Sequence, residues 1–175
     1  MLKKLFFILA LMICMSTICM AGPLGENNPV ALADFHQNRS NYIHCGGQST
    51  GITYHVYKNS IHVDKYAPPN YVISLKLCFY ASNGMLGENF RDLARYIDTR
   101  FSYNYSERKI YVERFDEKGN PYWAYIDPKI INTFEGYKKG WDTDMAAAEI
   151  AFYLSYDMSF FNKPVSKYAE AYISK

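Results

Sequence analysis

From Tyr71 to Ala81 the chain reads YVISLKLCFYA. Successive side chains of a strand point to opposite faces. Tyr71, Ile73, Leu75, Leu77 and Phe79 therefore share one face, and Val72, Ser74, Lys76, Cys78 and Tyr80 share the other. A strand patterned in this way belongs in an antiparallel sheet with one side buried and one side wet. Pro68 and Pro69 stand just before it and cannot donate to a ladder, so they mark its beginning. The rest of the chain must supply neighbouring strands and an apolar cover for the first face.

Neighbours are present on both sides in sequence. ITYHVYKNSIHVD, from Ile52 to Asp64, reads as a hairpin closed by Lys58 and Asn59. That register places Val56 opposite Ile61 and Tyr54 opposite Val63 on the apolar side, and His55 opposite His62 and Tyr57 opposite Ser60 on the polar side. Further on, residues 100–105, 109–115 and 121–126 read as strands, with DEKGNP as a turn. From Leu86 to Thr99 the pattern fits either a helical stripe or one long strand.

The cover comes from the C-terminal part. From Asp144 to Phe161 the residues Ala147, Ile150, Leu154, Met158 and Phe161 recur at helical spacing in a segment with few charges, and Pro164 is expected to close it. Val165, Tyr168, Ala169 and Tyr172 suggest a second, short amphipathic helix. The fold class predicted is therefore α+β: an antiparallel sheet of about six strands in meander order, covered by a C-terminal helix.

Residues 1–21 have two lysines, an apolar run and small residues ending in Ala21, the layout of a signal peptide. Residues 22–41 read as a flexible leader with at most one short helix after Pro29, and residues 42–175 as a single globular domain. Removing Lys3 and Lys4 brings the 19 basic residues level with the 17 acidic ones. A neutral chain lacks the basic face that phosphate recognition requires, so nucleic acid is excluded as a partner. No later segment is long and apolar enough for a transmembrane anchor.

Chemistry is sparsely signalled. Cys45 and Cys78 follow the signal peptide, and in an exported protein they are expected to pair, closing a loop of roughly 33 residues at a gain of about 3–4 kcal/mol. A second reading makes Cys78 a small buried hydrophobe, and a third makes Cys45, beside His44, a nucleophile. The hairpin register brings His55 and His62 within reach of one metal ion, with Asp64, His44 or Cys45 as a third ligand. Signatures of acyl transfer, zinc proteolysis and phosphate or dinucleotide binding are missing, and no cofactor is expected. Tyr103, Tyr105, Tyr111, Trp123 and Tyr125 lie on neighbouring strands and form a candidate binding face for an extracellular protein or a glycan.

Tyr57-Lys58-Asn59-Ser60-Ile61, followed by the long strand from Tyr71, resembles the opening of small secreted bacterial proteins of the surface-adhesin E-like type. In that group a short strand, a polar turn with Ser-Ile and a longer strand begin a compact antiparallel sheet. Phe101–Tyr105 and Glu149–Tyr156 are similar to segments of other small exported bacterial proteins. The resemblance implies adhesion at the bacterial surface, in a secreted or periplasmic setting, and carries no ligand-contacting residue with it. Intact mass of the natively exported protein should correspond to a chain starting at Gly22; a mass that includes residues 1–21 would contradict the signal-peptide reading.

Overall fold

The structure is a computed structural model that describes residues 28–47, 51–82 and 92–174. The expected signal peptide lies outside the described residues. In chain order the elements are α1 (Pro29–Gln37), β1 (Tyr42–Gly47), β2 (Ile52–Tyr57), β3 (His62–Ala67), β4 (Asn70–Ala81), β5 (Leu93–Asn104), β6 (Lys109–Phe115), β7 (Pro121–Tyr125), α2 (Phe134–Lys139), α3 (Trp141–Tyr156) and α4 (Lys167–Ile173). All strand pairs are antiparallel, in the order β1-β2-β4-β5-β6-β7, with β3 also on β4. The α+β meander with a C-terminal helix across it is thus the fold. No helix among the described residues is long and apolar enough to cross a membrane.

The centre of the sheet is the pairing of β4 with β5, which runs in unbroken register from Asn70↔Asn104 to Ala81↔Leu93. This resolves the ambiguous segment as strand from Leu93 onward; residues 83–91 lie outside the described residues. On one face Ile73, Leu75 and Leu77 are buried against α3, joined by Phe101, Ile110 and Val112 from the next strands. Every residue of α3 from Asp144 to Phe152 is buried. A helix apolar on all sides requires partners on all sides, and α2, α4 and the segment around Phe160 complete the enclosure of α3. The helix stops at Asp157, which adopts the left-handed conformation (φ 51°). It therefore ends before the expected Phe161 and well short of Pro164. Met158, expected on its buried face, is 41% exposed.

Three expectations are corrected. The first concerns the leader. Its residues 22–27 lie outside the described residues, and the short helix allowed after Pro29 is present as α1, but from Asn28 the segment packs into the core: the Asn28 side chain accepts from the Val30 and Ala31 amides at 3.1 Å, capping α1. Ala31 and Phe35 are then buried against the face of the sheet opposite α3, where Phe35 stacks on Tyr80 at 4.7 Å and meets the His55 ring edge-on at 4.9 Å. This second cover explains why Cys78, on the polar side of its strand, is buried. The second concerns the stretch before residue 52, to which the sequence pattern assigns no strand. Tyr42–Gly47 is a strand with a bulge between His44 and Gly46.

The third correction concerns the hairpin. Lys58–Ser60 forms a 3₁₀ turn that carries the chain onward instead of reversing it, so β2 and β3 lie end to end along β4. Ser60 fastens the join, donating to the Tyr57 carbonyl at 2.6 Å and accepting from the Lys76 amide at 2.8 Å. The true two-residue turn is Pro68-Pro69, between β3 and β4.

Replacing Phe35 with alanine should cost about 3–5 kcal/mol in urea unfolding, since it empties the contact between α1 and the sheet. A loss below about 1 kcal/mol would show that α1 does not fold as part of this core.

Candidate functional site

The sequence-predicted residues are scattered by this topology. His55 faces Cys78 on β4 and His62 faces Ser74, a separation of four positions, or about 13 Å along a strand. His55 lies under Phe35 while His62 bonds Asp64 at 3.0 Å in solvent. The proposed metal pair is therefore not formed, and no group of three potential ligands occurs among the described residues.

The disulfide is likewise corrected. Cys45 and Cys78 are free and buried, the first in the cluster beneath α3 and the second in the cluster beneath α1. Side-chain alternation along β1 and β4 sends them to opposite faces of the sheet. Burial disfavours both thiolates, raising the Cys45 pKa and pushing Cys78 up to about 12. Neither has the low pKa and access that a nucleophilic thiol needs.

The aromatic face divides in two. Tyr103 is buried under α3 and donates its hydroxyl to the Ala148 carbonyl at 2.9 Å. Tyr105 stacks on Phe152 at 6.0 Å, with the Arg108 guanidinium 3.8 Å from its ring centre. These two are packing residues. Tyr111, Trp123 and Tyr125 do share the open side of β6 and β7, where Trp123 and Tyr125 are 42% and 39% exposed. Arg100 links this patch to β3, bonding Asp64 at 3.0 Å and Glu113 at 2.9 Å with Trp123 close to its guanidinium.

A different feature concentrates unusual chemistry. A partly open cavity of about 470 Å³ lies between the sheet and the start of α3. Leu77, Ile97 and Thr99 from β4 and β5 and Tyr54 from β2 line it on the sheet side. Tyr137 of α2, Asp142 to Asp144 of α3, and Lys167 of α4 line it on the helical side, with Arg114 of β6 beside them. Gly140, left-handed at φ 72°, ends α2 and starts α3, which aims this helix start into the cavity. Gly46 permits the close approach on β1, because a Cβ there would lie 2.2 Å from the Thr143 hydroxyl.

Asp144 is buried on its side of the cavity, and the Arg114 guanidinium donates to its Oδ2. Desolvation nevertheless outweighs that partner and raises the Asp144 carboxyl to about 6. Burial also raises the Tyr54 hydroxyl, which feels the Asp144 charge. A cavity of this size with apolar walls and a few convergent polar groups, one of them shifted toward neutrality, has the composition of a small-molecule site. Neither Arg114 nor Asp144 is marked in the sequence. They are 30 positions apart, and only the close packing of α3 over β6 joins them.

Comparison with protein-family models, with curated proteins and with solved structures at large gives no match.

Glu149, buried on the same helix, accepts from the Val165 and Ser166 amides at 2.7 and 2.9 Å, and desolvation raises it to about 7. For both Glu149 and Asp144 the folded pKa lies above the unfolded one. The folded state then binds more protons between about pH 4 and pH 7, and stability falls as pH rises through that window. Each costs on the order of 2–3 kcal/mol at the alkaline end. Asp34, Asp64 and Asp116, whose values are lowered by their hydrogen bonds, act oppositely and favour folding above pH 4. The melting temperature should peak near pH 5 and decline toward pH 8, with a flatter profile in the Asp144→Asn, Glu149→Gln double variant. A melting temperature that climbs steadily from pH 5 to pH 8 would contradict this.

Proposed function

We propose that this chain is an exported, non-enzymatic binding module of the bacterial envelope that takes a small ligand into the cavity beneath the start of α3. The observation that carries the reading is the cavity itself: about 470 Å³, walled by Leu77, Ile97, Tyr54 and Tyr137, with the Arg114–Asp144 pair among its polar groups. Pockets of this size hold ligands of drug or dipeptide scale. A binding role fits better than catalysis for two reasons. Cys45 and Cys78 are buried, and Asp144 is held by Arg114 with, among the described residues, no second carboxylate or base bonded to it to complete an acid–base pair.

A second reading is adhesion through the open side of β6 and β7, in line with the resemblance to surface-adhesin E-like proteins. The exposure of Trp123 and Tyr125 on that side favours it. Exposed aromatics of this kind stack on sugar rings or anchor protein partners.

The two readings separate in one experiment. Titrating a fragment library into ¹⁵N-labelled protein should shift the amides of Tyr54, Thr99, Tyr137 and Thr143 in a saturable, one-to-one manner and leave Glu113 and Trp123 in place. Shifts confined to Glu113, Trp123 and Tyr125 would support the adhesive face. An absence of saturable shifts around the cavity would overturn the small-ligand reading.

A further inference from the structure

We infer that the ligand of this cavity is a small organic carboxylate with an apolar or aromatic tail, and that its carboxylate takes Arg114 over from Asp144. The inference rests on the reading of the cavity as a ligand site and names the chemistry of what enters it.

Several polar groups at the cavity are already committed. Asp142 Oδ1 accepts from the Asn132 amide at 2.6 Å. Asp144 Oδ2 accepts from Arg114. Arg114 is far less occupied. One donor goes to Asp144, and another reaches the Glu113 carbonyl only at 3.4 Å. A guanidinium has five donors in a planar fork, so most of this fork is available to a further acceptor. The Arg114 side chain is 38% exposed while that of Asp144 is 7% exposed, which places the cation on the accessible side of the pair. Lys167, whose ammonium group lies over the Tyr168 ring, adds a second cation at the same cavity. Uncommitted charged donors therefore outnumber uncommitted acceptors, and a planar carboxylate matches the fork geometry. The apolar walls at Leu77 and Ile97, with the rings of Tyr54 and Tyr137, suit a hydrocarbon or aryl tail.

In the free protein Asp144 stands in for the ligand carboxylate at Arg114. When a second carboxylate approaches Arg114, two like charges compete for one guanidinium in a desolvated place, and the interior one is relieved by taking up a proton. Its rise to about 6 in the free protein puts that proton within easy reach. Other titratable groups face Asp144 from each element packed against it. Cys45 from β1 and Tyr54 from β2 are raised and stay neutral. Arg114 from β6, Arg95 from β5, Lys167 and Tyr168 from α4, Tyr137 from α2 and Asp142 on the same helix complete the surroundings. Carboxylate binding is thus coupled to uptake of one proton, and affinity falls as pH rises above about 6.

The test uses the full chain and three isosteric probes, 3-phenylpropanoate, 3-phenylpropanamide and 3-phenylpropylamine, titrated by NMR at pH 5.5 and pH 7.5. The propanoate should bind at the cavity amides, roughly 20-fold more tightly at pH 5.5, because the competent fraction of Asp144 shrinks by about that factor. Asp144→Asn should bring the pH 7.5 affinity to about the pH 5.5 value and flatten the pH dependence, while Arg114→Gln should abolish propanoate binding. Preferential binding of the amine in the cavity would overturn the carboxylate assignment and leave the cavity as the ligand site. Propanoate binding unaffected by Asp144→Asn would overturn the exchange between the two carboxylates. Failure of all three probes to shift any cavity amide would overturn both the assignment and the site.

Discussion

The architecture depends on the complete burial of α3 across the β4–β5 pair. Four alanines, at 146, 147, 148 and 151, let the helix lie close to the sheet, and Met145, Ile150 and Phe152 fill the space beside them. Small residues permit close backbone approach, and the larger ones supply the apolar area that holds it. Two polar residues are drawn into the interior with the helix, and each is satisfied differently. Glu149 gathers the amides that precede α4 and so attaches the C-terminal segment. Asp144, one turn nearer the helix start, finds among the described residues only the Arg114 guanidinium. The same burial that stabilises the fold thus leaves one carboxylate poorly compensated beside an open cavity.

Much of the scaffold was legible in the sequence because it follows from local pattern. The alternation from Tyr71 to Phe79 identified the central strand and its buried face, and the periodicity after Asp144 identified the helix that covers it. What was illegible depends on contacts between distant residues. The two-faced burial of β4 could not be read from β4, because α1 comes from a proline- and asparagine-containing segment that looks like a leader. β1 is short, bulged and rich in glycine, so it lacks a strand signal of its own. KNS between two alternating runs has the composition of a hairpin turn, yet the Ser60–Lys76 bond turns it into a splice. From that one difference follow the separation of His55 from His62 and the loss of the metal pair.

The candidate site was the least legible part. Exposed aromatics were expected to mark it, and Tyr103 shows why that signal misleads: its ring belongs to the core, and its hydroxyl is satisfied by a helical carbonyl. The cavity is assembled from β1, β2, β4, β5, β6 and three helices, none of which contributes a motif. Its distinguishing property is a charge balance that exists only after folding, namely a well-hidden acid held by a cation with donors to spare.

The most direct test of this account is the ionisation of Asp144, followed by the ¹³Cγ shift of its carboxyl group through a pH titration of the free protein and of the protein saturated with 3-phenylpropanoate. The midpoint is expected near 6 in the free protein and higher in the complex. A midpoint near the ordinary aspartate value of about 4, unchanged by the probe, would contradict it.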